Sequence, residues 1–422
     1  MKKLPRSKLA AATALLTLVC GLRAQTALAP ATPVAPAPAT SGTLAPAAPT
    51  PATTKFYGWI DAGITLNSTR PNDRQNFGRL FDNAADELLL NQLAVTAERT
   101  FGSDAAKFDW GFKAQAIYGS DARFVHGLGL LDNASNMRNQ PDIPELYLNL
   151  HFPVLSGGGL DVKAGKFVTL EGAETIDPRS NIFYSHTYIF NFGIPFQHTG
   201  VLATLHASDT FDLMAGITRG VNTALTDNNG AVSFHGGIGF NKLLGGKITG
   251  LLSVHIGPET PHDSKDLRYL DDLTFTYTIS DKQSLIVDLN YAQDDAAKVS
   301  GQGAAIYFQQ TVSDTVSVAL RGEAWRDSEG FFVAQIAAND DAMNLLAGYP
   351  NLNARTVGGG ATTYGALTLG ANIKVPGVSK PFAGLIIRPE VRYDKYLNGT
   401  TPFIDSSHKN QFTFGVDAVL TF

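Results

Sequence analysis

The sequence predicts an all-β protein: one transmembrane antiparallel up-and-down β-barrel of about 16 strands, with short turns on one rim and long loops on the other. Three observations predict it. Amphipathic segments of about ten residues with a period of two recur after position 55. The links between them alternate short and long. The last segment, 411–422, alternates without a break to an aromatic end, Phe422. The composition agrees, with 44% hydrophobic and 17% charged residues. Soluble domains carry about a quarter charged residues, and lipid-facing strand halves account for the deficit.

The chain opens on an export signal. Lys2, Lys3, Arg6 and Lys8 precede an apolar run, 9–19, too short to cross a bilayer as a helix. Ala24 is the expected cleavage point, giving a signal peptide over 1–24. Cys20 raises a lipoprotein reading, but Val19 stands where a small residue is wanted. Cys20 is the only cysteine, so a chain cleaved at Ala24 has no disulfide, thiolate metal site or thiol nucleophile. Cleavage removes five of 33 basic residues and no acid, leaving 28 against 38 and a charge of −10. That balance argues against nucleic acid as a partner. Residues 25–54 are almost all Ala, Pro and Thr and read as a disordered linker. The barrel domain occupies 55–422.

The first strand, 56–67, puts Phe56, Ile60, Ile64 and Leu66 on one face and Tyr57, Trp59, Asp61 and Asn67 on the other. The third, fourth, ninth and eleventh follow the same rule; the fourth sets Leu146, Leu148 and Leu150 against Glu145, Tyr147 and His151. A soluble sandwich also alternates, so the links decide. Those after even strands are short, as at 208–210, 281–283 and 313–315. Those after odd strands are mostly long, as at 68–86, 119–142, 169–197 and 327–360. Short periplasmic turns and long outer loops are the asymmetry of an outer-membrane barrel. Only a closed barrel satisfies β backbone in lipid, so the last strand must pair with the first. Two residues break the pattern. Lys166 falls outward on the fifth strand, near its upper end, where it can snorkel; otherwise a bulge has switched the faces there. Pro389 lies inside the fifteenth and predicts a bulge.

Several segments resemble the putative β-barrel porin-2 family, the OmpL-like outer-membrane porins. The strongest runs from Gly165–Lys166–Phe167 through Gly172–Ala173–Glu174, Asn181–Ile182–Phe183–Tyr184–Ser185, Gly193–Ile194–Pro195–Phe196 and His198–Thr199–Gly200. Others are Asp227–Asn228–Asn229, Gly257–Pro258–Glu259, Arg321–Gly322–Glu323, and Arg388 through Asp394. Arg219–Gly220–Val221 departs from the family's tryptophan after Asn-Gly. The resemblance implies a porin fold and passive diffusion, without a named solute.

Residues 169–197 carry Phe183, Tyr184, Tyr188, Phe190, Phe192 and Phe196, a loop costly to leave in water. It is expected to fold into the lumen and narrow it. Glu171, Glu174, Asp177 and Arg179 on it, with Lys113, Lys163, Arg321, Glu323, Arg388, Glu390 and Arg392 facing inward from the wall, are the candidate constriction charges. The four loop residues could instead cap the loop and tie it to the wall, and the wall charges could instead pair with one another and stabilise the barrel interior. Nothing pairs Asp177, Ser180 and His186 as a triad, and His151 and His255 face the lumen singly. No cofactor, metal or enzymatic activity is expected; Asp227–Gly230 reads as a turn, not a calcium loop. The expected function is a porin for small hydrophilic solutes or ions, possible as a homotrimer, surrounded by outer-membrane lipid. Assembly machinery would recognise the final strand ending at Phe422. The alternative is a non-conducting barrel, an adhesin or anchor, favoured by Met343, Leu345, Leu346 and Tyr349 in the loop at 327–360.

Overall fold

The structure, a computed structural model, describes residues 50–132, 137–336 and 356–422. Sixteen strands close into a barrel. In chain order they are β1 Thr53–Asn67, β2 Leu88–Thr100, β3 Asp109–Gly119, β4 Gln140–Phe152, β5 Leu160–Val168, β6 Gln197–His206, β7 Phe211–Thr218, β8 Ser233–Lys242, β9 Ile248–Gly257, β10 Arg268–Ser280, β11 Gln283–Asp294, β12 Val299–Thr311, β13 Val316–Asp327, β14 Thr362–Lys374, β15 Gly384–Asn398 and β16 Asn410–Thr421. Each pairs antiparallel with the next, and β16 returns to β1. A separate ribbon joins Ala334–Ile336 to Thr356–Gly358.

The expected seam is present. Register runs from Trp59↔Thr421 to Asn67↔Thr413, and Gly58 and Phe422 exchange two backbone bonds of 2.9 and 3.0 Å. Period two sorts the side chains as the sequence predicts. On β1, Trp59, Asp61, Thr65 and Asn67 are buried inside, while Phe56 and Leu66 are exposed. Leu88, Trp110, Leu146, Leu148, Ile217, Ile306, Leu367, Leu369 and Phe412 continue an exposed apolar belt, far larger than soluble surfaces carry. The buried hydrophobic core lies inside the barrel, around the inserted loops.

The link parity holds. Residues 207–210, 281–282 and 312–315 close one rim, and residues 68–87, 169–196 and the described ends of the link after β13, 328–336 and 356–361, leave the other; one outer link, 295–298, is short. Residues 1–49 and 337–355, with the signal peptide, most of the linker and Met343, Leu345, Leu346 and Tyr349, lie outside the described residues.

Lys166 pairs with outward-facing Leu146, yet its side chain is buried rather than snorkelling outward. Its amine turns back to the Ile143 carbonyl, 3.5 Å from Asp142, beside a register shift at Gln115/Ile117. The expected bulge at Pro389 is absent. Pro389 pairs in register with Val416. On the β14 side, pairing skips from Gly370↔Glu390 to Ile373↔Ile387 without a shift. A gap in one ladder absorbs the missing N–H, so no extra residue is needed.

Candidate functional site

Residues 169–196 leave the end of β5 and run inside the wall. The entry is tied to the acidic face of β10 and β11: Gly172 N–H donates to Asp272 at 2.9 Å and Ala173 N–H to Asp288 at 3.1 Å. Asp177 caps a short turn, Pro178–Ser180, by accepting the Arg179 N–H. A wider turn follows at Ile189–Gly193. Phe183, Tyr184, Tyr188, Phe190 and Phe196 are all buried. Tyr188 stacks on Tyr364 of β14 at 4.9 Å, and Phe190 on His186 at 4.2 Å. Glycines make the close approach possible: a Cβ on Gly63 of β1 would lie 2.5 Å from the Tyr184 ring.

A loop has no ladder of its own, so its buried backbone needs other partners. The wall charges supply them. Arg321 donates to the Glu174 carboxylate and to the Ser185 carbonyl, each at 2.7 Å. Glu323 accepts the Tyr188 N–H at 2.8 Å, and Glu390 accepts the Tyr184 N–H at 2.9 Å. Arg388 donates to the carbonyls of Pro178 and Asn181 at 2.7 Å and pairs with Asp417. Arg392 donates to the His186 carbonyl at 2.6 Å and pairs with Glu323 and Asp394 at 3.0 and 2.8 Å. The five candidates on β13 and β15 therefore meet the loop backbone directly. Charge-assisted bonds of this kind are about twice as strong as neutral ones.

The other candidates divide. Glu174 joins the clamp, and burial, which alone would raise its carboxyl, is outweighed by Arg321, His186 and the Thr187 N–H. Glu171 is buried with neither carboxylate oxygen bonded. Burial, then Asp272 and Asp271, push its carboxyl well up. Asp177 and Arg179 pair at 2.6 Å with side chains 24% and 29% exposed, and Arg179 lies 4.1 Å over the Trp59 ring. Lys113 pairs with Glu145, and Lys163 sits 4.6 Å over Tyr147. Lys113 and Lys163 stand on β3 and β5, away from the clamp; Asp177 and Arg179 flank Pro178, whose carbonyl Arg388 holds, and Arg179 leans toward β1.

His186 meets Asn181 at 3.1 Å and Asp177 meets Arg179, so the Asp177–Ser180–His186 sequence cluster forms no relay. Asp227 accepts the N–H groups of Asn229 and Gly230, closing a turn. His151 is a bonded wall residue, 2.7 Å from Asp161. His255 is not single: His198 and His235 lie against it.

Sequence reasoning missed a second inserted loop. Residues 68–87 bury Phe77, Leu80 and Phe81 against Tyr364, Phe190 and Phe196. Arg79 on it pairs with Asp82 at 2.5 Å and Asp394 at 2.6 Å. The signal was legible, since three large apolar residues inside a long link are as costly in water as those of 169–196. A cavity of about 10 Å³ remains beside the loop, lined in part by Asp61, Gln92, Tyr184 and Arg388, room for about one water.

Residues 53–422 match the family model described as putative beta-barrel porin-2, OmpL-like. The chain is similar to the anion-selective porin from Comamonas acidovorans at 11% identity and a TM-score of 0.56, covering 88% of this chain and 100% of that one. The outer-membrane channel DcaP of Acinetobacter baumannii gives 11%, 0.53, 88% and 98% in the same order. OprB of Pseudomonas putida gives 14%, 0.51, 87% and 94%. At such identities the likeness carries the fold alone. No curated protein matches the chain.

Proposed function

The chain belongs to the putative beta-barrel porin-2, OmpL-like family of outer-membrane porins, and from that premise we propose that it passes small hydrophilic solutes or ions by passive diffusion. The observation that carries the proposal is the sixteen-stranded closed wall around inserted loops that side chains of the wall hold in place. A wall of that size is wider than side chains alone fill. The clamp holds the loop to β13 and β15, with further bonds to β10, β11 and to Asn91 and Gln92 of β2, and the proposed water path follows the partly exposed side chains of the β1–β7 side. There Lys113, Asp161, Asp177, Arg179 and His206 keep between 18% and 32% of their side chains exposed. Asp177, Arg179, Lys113 and Lys163 act as the constriction charges on that path. Glu171, Glu174, Arg321, Glu323, Arg388, Glu390 and Arg392 shape it by fixing the loop. Export through a signal peptide at 1–24, recognition of the strand ending at Phe422 by assembly machinery, and a homotrimer complete the proposal.

Single-channel recording in planar bilayers tests it. Discrete steps are expected, and Arg179→Glu shifts the reversal potential in a salt gradient toward cations. A folded barrel without steps sinks the proposal. One observation favours a second reading, a non-conducting adhesin or anchor: residues 68–87 and 169–196 pack against each other inside the wall. That reading predicts silence in the same recording.

A further inference from the structure

Three histidines meet on the lumen face at the outer end of the wall. His198 comes from the start of β6, His235 from the start of β8 and His255 from the end of β9. His235 and His255 are direct partners in the ladder. All three are fully buried. Ring centroids stand 4.2 Å apart for His198 and His235, 4.8 Å for His198 and His255, and 5.7 Å for His235 and His255. One nitrogen from each falls within 4.8 Å of the others.

The surrounding bonds leave two buried ring nitrogens of the group without a partner. His255 Nε2 donates to Glu259 Oε1 at 2.7 Å, which leaves Nδ1 the unprotonated atom, and Nδ1 has no partner. Glu259 is itself held by Ser233 Oγ and the Val221 N–H, each at 2.7 Å. His198 Nδ1 donates to the Gly220 carbonyl at 3.2 Å, leaving Nε2 facing Thr169 Oγ1 at 3.3 Å. His235 Nε2 accepts the Leu170 N–H at 3.3 Å and Nδ1 has no partner, so an ion bound by this ring displaces that bond or moves the ring proton to Nε2. A buried nitrogen without a partner is destabilising, and this group concentrates two. A histidine whose second nitrogen is bonded to a carboxylate or a carbonyl is the arrangement that orients metal ligands.

We propose that His198, His235 and His255 form a binding site for a divalent transition-metal ion of the zinc class. Imidazole suits such ions, and three histidines with an open fourth position are a known zinc set. Zinc–nitrogen bonds of about 2.0–2.1 Å need the rings to close by about 1 Å. The ion ties the outer ends of β6, β8 and β9 together. It also sits beneath Thr169 and Leu170, the first residues of the inserted loop, and so fixes the loop at its root.

The test uses the full chain without an affinity tag, folded in detergent, stripped with chelator and freed of it. Zinc ion is added and bound metal is counted after gel filtration; cobalt ion serves as the optical probe. One equivalent of zinc per chain is expected, with a cobalt spectrum of nitrogen-rich, low-coordinate form. His235→Ala abolishes both, and His151→Ala changes neither. Heat-dependent gel mobility reports folding of each variant. If His235→Ala does not fold, Glu259→Gln is used instead, with a loss of about 10–100-fold in affinity. Less than a tenth of an equivalent bound at micromolar zinc by the folded wild type overturns the proposal, as does unchanged binding by the folded variant. In that case the three rings are a hydrogen-bonded cluster bridged by water. No step depends on conductance, so a silent barrel leaves the result standing.

Discussion

Glu171 and His186 lie on the same inserted loop, and burial favours the neutral form of both. Burial and then the neighbours Asp272 and Asp271 raise the Glu171 carboxyl well above its ordinary range. The folded state therefore keeps a proton that the unfolded chain releases above about 4.3. Stability falls as pH rises from there through the raised value. Burial first, opposed by Glu174 and Asp82, lowers His186 to about 4. Its contribution is complete above about 6.5 and falls as pH drops from there toward 4. Unfolding temperatures read by gel mobility from pH 4 to 9 check the signs. Glu171→Gln is expected to unfold at a higher temperature than wild type at neutral pH and to lose the decline on the alkaline side. An unchanged profile rejects the assignment. At this scale alternation showed which charges turn inward, and Arg321, Glu323, Arg388, Glu390 and Arg392 do. It could not show what faces them, because the period fixes a side and not a partner. The three histidines were illegible for the same reason: far apart in sequence, they meet only when the sheet curls.

The inserted loop is held by backbone bonds and by the absence of side chains at contact points. A Cβ on Gly193 would fall 2.4 Å from Asn290 Oδ1 and 2.8 Å from the Trp325 ring. Gly193→Val is expected to lift the wide turn off the wall at a cost of about 1–3 kcal/mol. Chymotrypsin added to the folded barrel checks it: cleavage near Phe183 and Tyr184 appears in the variant and not in wild type. Insertion of this loop was legible from its aromatic run. That of 68–87 was overlooked, although Phe77, Leu80 and Phe81 carry the same message. Pro389 misled because a proline's missing donor can be absorbed by a gap in one ladder as well as by a bulge.

For the whole molecule, the exposed apolar belt requires lipid around the wall. Leu148 on β4 is 57% exposed and lies near the middle of its strand. Leu148→Lys is expected to cost about 2–4 kcal/mol in bilayers, measured by denaturant unfolding in lipid vesicles, while Leu148→Ile stays near wild type. Tolerance of the lysine would place that face in water. Strand count, link parity and closure were all legible, because each follows from period two and from the rule that lipid leaves no backbone group unpaired.

The seam of β1 with β16 has a kinetic meaning. Most ladders in the ring form between strands adjacent in sequence, so they can grow hairpin by hairpin. This one joins Trp59 to Thr421. Bringing such distant segments together costs about 3 kcal/mol more than closing a ten-residue hairpin, since loop entropy grows only with the logarithm of length. The barrier is therefore less one of distance than of order: until the final zip, two edges stand open at once, and the growing sheet must be sheltered at both.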